Sequence, residues 1–283
     1  MNEKGKSFYA LFIFLIAEAI QIVVSVIMLA VVSVTKMLQM GSESGEESSV
    51  QIEQFLNSGI NRETQYLISV LAILVCGIIF FFWYRYEVRG EVKMAQTLPL
   101  KTGNIILLVC LGLGSQFAIS GAMSILQNFF VKLFEDYEKQ INSLQEGSQI
   151  VVLLLVLIIA PVTEELIFRG VILHRTSRYL TFLGANLLQA VLFGIYHFNI
   201  VQGIYAAILG FVLGLVCKKF GTVLASIFLH IAVNLSSYLM VFMPQNIFVI
   251  IGMTIIGAVL MIVTLKRFEI KTLFTMNRIN ERI

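Results

Sequence analysis

Hydrophobic positions in this chain come in long blocks instead of alternating. Eight blocks approach the ~20 residues that cross a hydrocarbon core. They are Phe8 to Val34, Tyr66 to Tyr84, Ile105 to Phe130, Ile150 to Leu173, Phe182 to Ile200, Gly203 to Cys217, Thr222 to Phe242 and Ile247 to Leu265. Lipid offers no partner for backbone amides, and blocks without a two-residue period are predicted as helices, each closing its own hydrogen bonds. The predicted fold is an all-α membrane protein, a bundle of about eight transmembrane helices in one polytopic unit over 1–283. Within it, 1–148 is an N-terminal three-helix part, 149–243 holds the core helices, and 244–283 is a last helix and tail. The sixth block is short, and its Gly203, Ala206, Ala207, Gly210 and Gly214 recur every three or four residues, a pattern that lets a neighbouring helix approach closely.

Composition fits this picture: 58% of the 283 residues are hydrophobic and 13% charged, outside the range of soluble globular chains. No basic face for nucleic acid is apparent, and the expected partner is the lipid bilayer. Cys76, Cys110 and Cys217 all fall in apolar blocks, so no disulfide framework is predicted. Phe8 to Val34 is far longer than the apolar region of a signal peptide and is read as the first span. With the amino terminus cytosolic, sixteen of the twenty Lys and Arg residues fall inside, against Lys36, Arg62, Lys132 and Lys139 outside. Both termini are therefore expected to be cytosolic, and a compact, Ile-rich chain is read as a multi-pass protein of the bacterial plasma membrane. The two long outer segments carry Glu43, Glu46, Glu47, Glu53 and Glu63, then Glu135, Asp136, Glu138 and Glu146, and read as solvated surface.

Against this background the polar residues inside apolar blocks stand out, because each ionised group near the bilayer centre costs about 3 kcal/mol on insertion scales. The fourth block carries Glu164, Glu165 and Arg169. On a helix Glu165 and Arg169 share a face, whereas Glu164 diverges by about 100° and points elsewhere with Phe168. Phe193 with His197, and His230 with Asn234, are two more pairs four residues apart. Asn186, Gln189, Phe193 and His197 form one stripe, expected to line a polar cavity, and Glu18 with Gln21 in the first block is expected to face the bundle interior. Counting at ~1.5 Å per residue puts His197 a turn or two deeper than Glu164 and His230, so either its helix starts after Phe182 or the helices are offset. A glutamate kept from bulk water, sharing its proton with an imidazole, activates water for attack on a carbonyl; a second imidazole and an asparagine amide suit the resulting oxyanion.

Glu164-Glu165 with Arg169, Phe193 with His197, and His230 with Asn234 resemble, in residue type, spacing and order, the three motifs of the CAAX protease and bacteriocin-processing family of intramembrane peptidases, which includes the Ras-converting enzyme. The resemblance covers about Ile150 to Tyr238. It implies an eight-helix endopeptidase with an intramembrane catalytic cavity open to the cytosol. Glu164 and His197 would activate water, His230 and Asn234 would hold the oxyanion, and Arg169 would steady Glu165, with Phe193 in support. The implied substrate is a peptide or membrane-associated protein, in bacteriocin or peptide processing or in self-immunity.

Such enzymes were formerly classed as metalloproteases, and a glutamate with two histidines invites zinc. No His-Glu-x-x-His pair is present and Asn234 is a poor zinc ligand, so no cofactor and no metal are expected, with zinc the alternative. Two other functions are weighed: a proton-coupled transporter using Glu164, His197 and His230 as a relay, and a non-catalytic scaffold that regulates a partner protein. Carriers usually repeat their halves, and Phe8 to Phe130 holds no counterpart of the later motifs. The charge count makes topology testable. Reporters fused after Arg89, Arg178, Lys219 and Ile283 should stay cytosolic and those after Glu47 and Glu138 should be exported; an exported reporter at Ile283 would contradict eight spans.

Overall fold

The structure is a computed structural model that describes residues 3–42, 55, 59–89, 98–143, 148–240, 242, 246–271 and 273, the side chains of 3–7, 41, 42 and 143 excepted. Glu43, Glu46, Glu47, Glu53, Glu146, Lys93, Arg278 and Arg282, weighed above for charge, lie outside the described residues. Among those described, every regular element is a helix: α1 Glu3–Ser42, α2 Arg62–Glu87, α3 Thr102–Gln127, α4 Val131–Ser143, α5 Gln149–Thr176, α6 Phe182–Ile195, α7 Ile200–Phe220, α8 Val223–Met240 and α9 Ile247–Arg267. Seven of them, α1, α2, α3, α5, α7, α8 and α9, are long and apolar enough to cross a membrane. The predicted fifth span corresponds to α6, whose 14 residues cover about 21 Å against a core of about 30 Å. It lies antiparallel to α7 as a hairpin.

The fifth expected span is thus shorter than its apolar block. The helix does begin at Phe182, where the Thr181 hydroxyl accepts from the Gly184 amide at 3.2 Å, so a start after Phe182 is excluded. It ends early because Phe198 turns into the left-handed region (φ 50°), and Asn199 then caps α7 by accepting from the Gln202 amide at 3.0 Å.

Helix α5 is continuous but not uniform, with π-helical stretches at Leu155–Ile159 and Leu166–Leu173. Between them is Ala160–Glu165, which contains Pro161. Proline lacks an amide hydrogen and its ring crowds the carbonyl four residues back, here that of Leu157, so the ladder widens just ahead of it. The two glutamates occupy the short α-helical piece between two widened stretches.

Close approach of helices is set by small residues. A Cβ on Gly257 of α9 would meet the Ala118 nitrogen of α3 at 2.6 Å, and one on Gly114 would meet the Gly257 carbonyl oxygen at 2.9 Å. The small-residue stripe of α7 packs as expected: a Cβ on Gly210 would meet the Phe193 ring at 2.9 Å, and one on Gly194 the Gly203 carbonyl at 2.5 Å. At the other end of α2, buried Glu87 accepts from the Trp83 indole at 3.1 Å and is paired with Arg175 and, at 3.1 Å, with Arg178, which ties α2 to the end of α5.

α4 is amphipathic, with Glu135, Asp136 and Glu138 exposed as a solvated surface requires. Its Tyr137 hydroxyl lies 3.4 Å from that of Tyr205 near the start of α7. Because the α3–α9 contact is backbone against backbone, Gly257→Ala should destabilise by about 1 to 3 kcal/mol. A melting temperature in detergent equal to that of the parent would contradict this packing.

Candidate active site

Arg169 sits at the centre of the bundle, 2% exposed. Its Nη1 donates to Glu165 Oε1 at 2.9 Å and its Nη2 to the Gly210 carbonyl at 3.1 Å, while the guanidinium lies 4.4 Å from the centroid of the Phe193 ring. The missing side chain at Gly210 permits this, since a Cβ there would approach Arg169 Nη2 to 3.2 Å. Gln189 Nε2 also donates to the Gly210 carbonyl at 2.9 Å, and to Asn186 Oδ1 at 2.8 Å; Asn186 Nδ2 donates to the Phe211 carbonyl at 3.0 Å. Asn186 and Gln189 are both fully buried. The expectation that they line a cavity is therefore corrected: they bind α6 to α7 as interhelical hydrogen bonds, and the stripe opens only at its far end, at His197. Arg169, counted above among the inner basic residues, is likewise a bundle residue and not a loop residue.

The expected Glu165–Arg169 pair is present despite the π-helical register. Glu165 does more than neutralise the guanidinium, because the same Oε1 lies 2.9 Å from His230 Nδ1. A carboxylate can only accept, so Nδ1 carries the proton. The other ring nitrogen, Nε2, faces Glu164 Oε2 at 3.7 Å. The two adjacent glutamates diverge along the helix and yet converge on the two nitrogens of one imidazole, which helix geometry alone did not suggest. Glu164 keeps 12% of its side chain accessible, whereas the Glu165 side chain has none.

His197 stands just past the end of α6. Its Nδ1 lies 2.8 Å from the Phe193 carbonyl, an acceptor, which leaves Nε2 as the ring's own acceptor. Phe193 separates the histidines, with its ring 4.9 Å from that of His197 and 5.8 Å from that of His230, both edge-on. Asn234, one turn along α8 from His230, donates Nδ2–H to the Val156 carbonyl in the first π-helical stretch at 2.8 Å, which holds the amide plane and leaves its second N–H. Glu164, His197 and Asn234 are each partly accessible around buried His230.

The seven residues of the three motifs thus come together from α5, α6 with the turn after it, and α8. Gln21 of α1 faces the bundle interior as expected, its Nε2 3.0 Å from the Tyr196 hydroxyl, and Glu18 has a buried carboxylate oxygen, Oε1. Tyr196 was not singled out in the sequence; its only signal is that it precedes His197. Among the described residues, no three His, Cys, Asp or Glu side chains converge as a metal site requires. His230 Nδ1 lies against Glu165 and His197 Nδ1 against a carbonyl, which leaves Nε2 as the nitrogen each ring turns toward other groups.

Comparison with known families adds one finding. The sequence of residues 146–236 matches the family described as type II CAAX prenyl endopeptidase, Rce1-like. This segment is Rce1-like. It spans about a third of the chain and contains Glu164, Glu165, Arg169, Phe193, His197, His230 and Asn234. No curated protein and no solved structure matches the chain.

Removing one partner of a buried ion pair leaves the other charge uncompensated, at a cost of about 3 to 5 kcal/mol. Glu165→Gln should therefore lower yield and melting temperature. Adding Arg169→Gln should recover part of the loss. A doubly substituted protein less stable than Glu165→Gln would contradict the pairing.

Proposed function

We propose that the chain is an intramembrane endopeptidase in which Glu164 and His197 activate water and His230 and Asn234 stabilise the oxyanion. The observation that carries this reading is the convergence of Glu164 and Glu165 on the two nitrogens of His230 within the Rce1-like segment. A mid-bundle carboxylate and an imidazole with a free Nε2 are the pair that takes a proton from water. The water oxygen bonds to the peptide carbonyl carbon, the carbon–nitrogen bond breaks, and the proton passes to the leaving amine.

Glu165 has the role of orienting His230. With Nδ1–H donated to Glu165, Nε2 can donate to an oxyanion only when the ring carries both protons. Asn234 supplies its second N–H, and its bond to Val156 spares the reorganisation that a free amide would need. The chemistry in this reading is glutamate-type and needs no metal. The substrate is a peptide or membrane-associated protein reaching the site from the cytosolic side, in bacteriocin or peptide processing or in self-immunity.

Substrate and mechanism are tested together by comparative peptidomics of cells carrying the intact protein or Glu164→Gln. The amide keeps the carboxylate's shape but cannot take the proton. Peptides ending at a new cut should appear only with the intact protein, and purified enzyme should still cut them after thorough treatment with EDTA or phenanthroline. Identical peptide sets would count against a peptidase and leave the proton-coupled carrier, and activity lost to chelation and restored by zinc would turn Glu164, His197 and His230 into ligands.

A further inference from the structure

We infer that Gln21 of α1 and Tyr196 form a positioning pair for His197, so that a helix outside the Rce1-like segment takes part in setting the catalytic geometry. This inference rests on the role proposed above for His197. That histidine sits in a four-residue turn, Tyr196 to Asn199, which has left the α6 ladder before α7 begins. On the α6 side, backbone bonds and the His197 Nδ1–Phe193 carbonyl contact hold the turn. On the α7 side, Gly194 lies so near Gly203 that no side chain fits between them. Within the turn, Phe198 has φ 50°, a conformation that bulky residues adopt only when their surroundings impose it. On the α1 side the restraint is Tyr196.

The Tyr196 ring is wedged edge-on between Phe168 of α5, at 5.4 Å, and Phe14 of α1, at 6.5 Å, and stands 5.9 Å from the His197 ring at 84°. Its hydroxyl meets the Gln21 amide, with Gln21 Nε2 donating at 3.0 Å. Gln21 is in turn placed by α1, which presents Ala10, Ile13, Phe14 and Ala17 to the core on the same side. A glutamine amide inside a membrane helix needs a partner, and a tyrosine hydroxyl is polar enough to hold it without carrying charge. The link therefore fixes the phenol along its long axis, while the aromatic neighbours fix its plane. The Tyr196 and His197 rings are neighbours at 5.9 Å, so the phenol bounds the imidazole on one side as Phe193 bounds it on another. Neither Gln21 nor Tyr196 is assigned a step in bond making or proton transfer; each acts through His197.

Tyr196→Phe and Gln21→Leu each remove the link and keep the bulk. In purified full-length protein each should lower kcat about tenfold with KM unchanged, since a small misplacement of a catalytic group reaches the rate and not ground-state binding. The double variant should be no slower than either single one, because both break one interaction. A second readout is independent of turnover: the rate at which diethylpyrocarbonate modifies each histidine, followed by mass spectrometry. His197 should react faster in both variants and His230 at its parental rate. Equal acceleration of both histidines would mean general loosening and would overturn the inference, as would an unchanged His197. If His197 alone accelerates while the intact protein cleaves nothing, the positioning pair stands and the peptidase reading fails.

Discussion

A full positive charge at the centre of a membrane bundle is the constraint on which the rest of this structure depends. Arg169 is tolerated because everything it touches is arranged to receive it: Glu165 on the same helix, the bare carbonyl of Gly210, and the face of Phe193. Each demands something of another element. Gly210 must lack a side chain, so α7 carries a small-residue stripe, and the stripe draws α6 close enough for Asn186 and Gln189 to bond to the α7 backbone. A sequence rule about small residues and a sequence rule about buried charge thus have one physical origin here.

The same network reaches His230. Glu165, committed to Arg169, still has its Oε1 within reach of His230, and this fixes which nitrogen of that ring holds a proton. Glu164, one residue earlier and more accessible, faces the other nitrogen. A buried ion pair contributes little net stability once desolvation is counted, so holding the His230 ring by its Nδ1–H is a better reason for its presence. The π-helical stretches on either side of the glutamates serve the same end, since one of them presents the Val156 carbonyl that holds Asn234.

Much of this was legible in the sequence, and what was not has identifiable causes. Apolar blocks locate α1, α2, α3, α5, α7, α8 and α9 because a span must match the bilayer, and the Glu165–Arg169 pair follows from helical spacing alone. The end of α6 was missed because Phe198 and Ile200 carry the apolar block past Ile195; Phe198, in a left-handed conformation that a phenylalanine does not advertise, breaks the helix. Asn186 and Gln189 looked like cavity lining because periodicity gives a face but not what covers it. The shared imidazole was hidden for a related reason: 3.6-residue geometry separates adjacent side chains, whereas a partner on another helix can reunite them. Close α3–α9 packing through Gly114 and Gly257 carried a weaker signal than the denser stripe of α7.

The chain has three histidines, His174, His197 and His230, so a nitrogen-15 spectrum of histidine-labelled protein in detergent, assigned by single substitutions, reads the centre directly. His230 should show a protonated, hydrogen-bonded Nδ1, and its signals should change in the Glu165→Gln protein while those of His174 do not. His230 protonated at Nε2 alone, or indifferent to Glu165, would contradict a site built on one imidazole held between two glutamates.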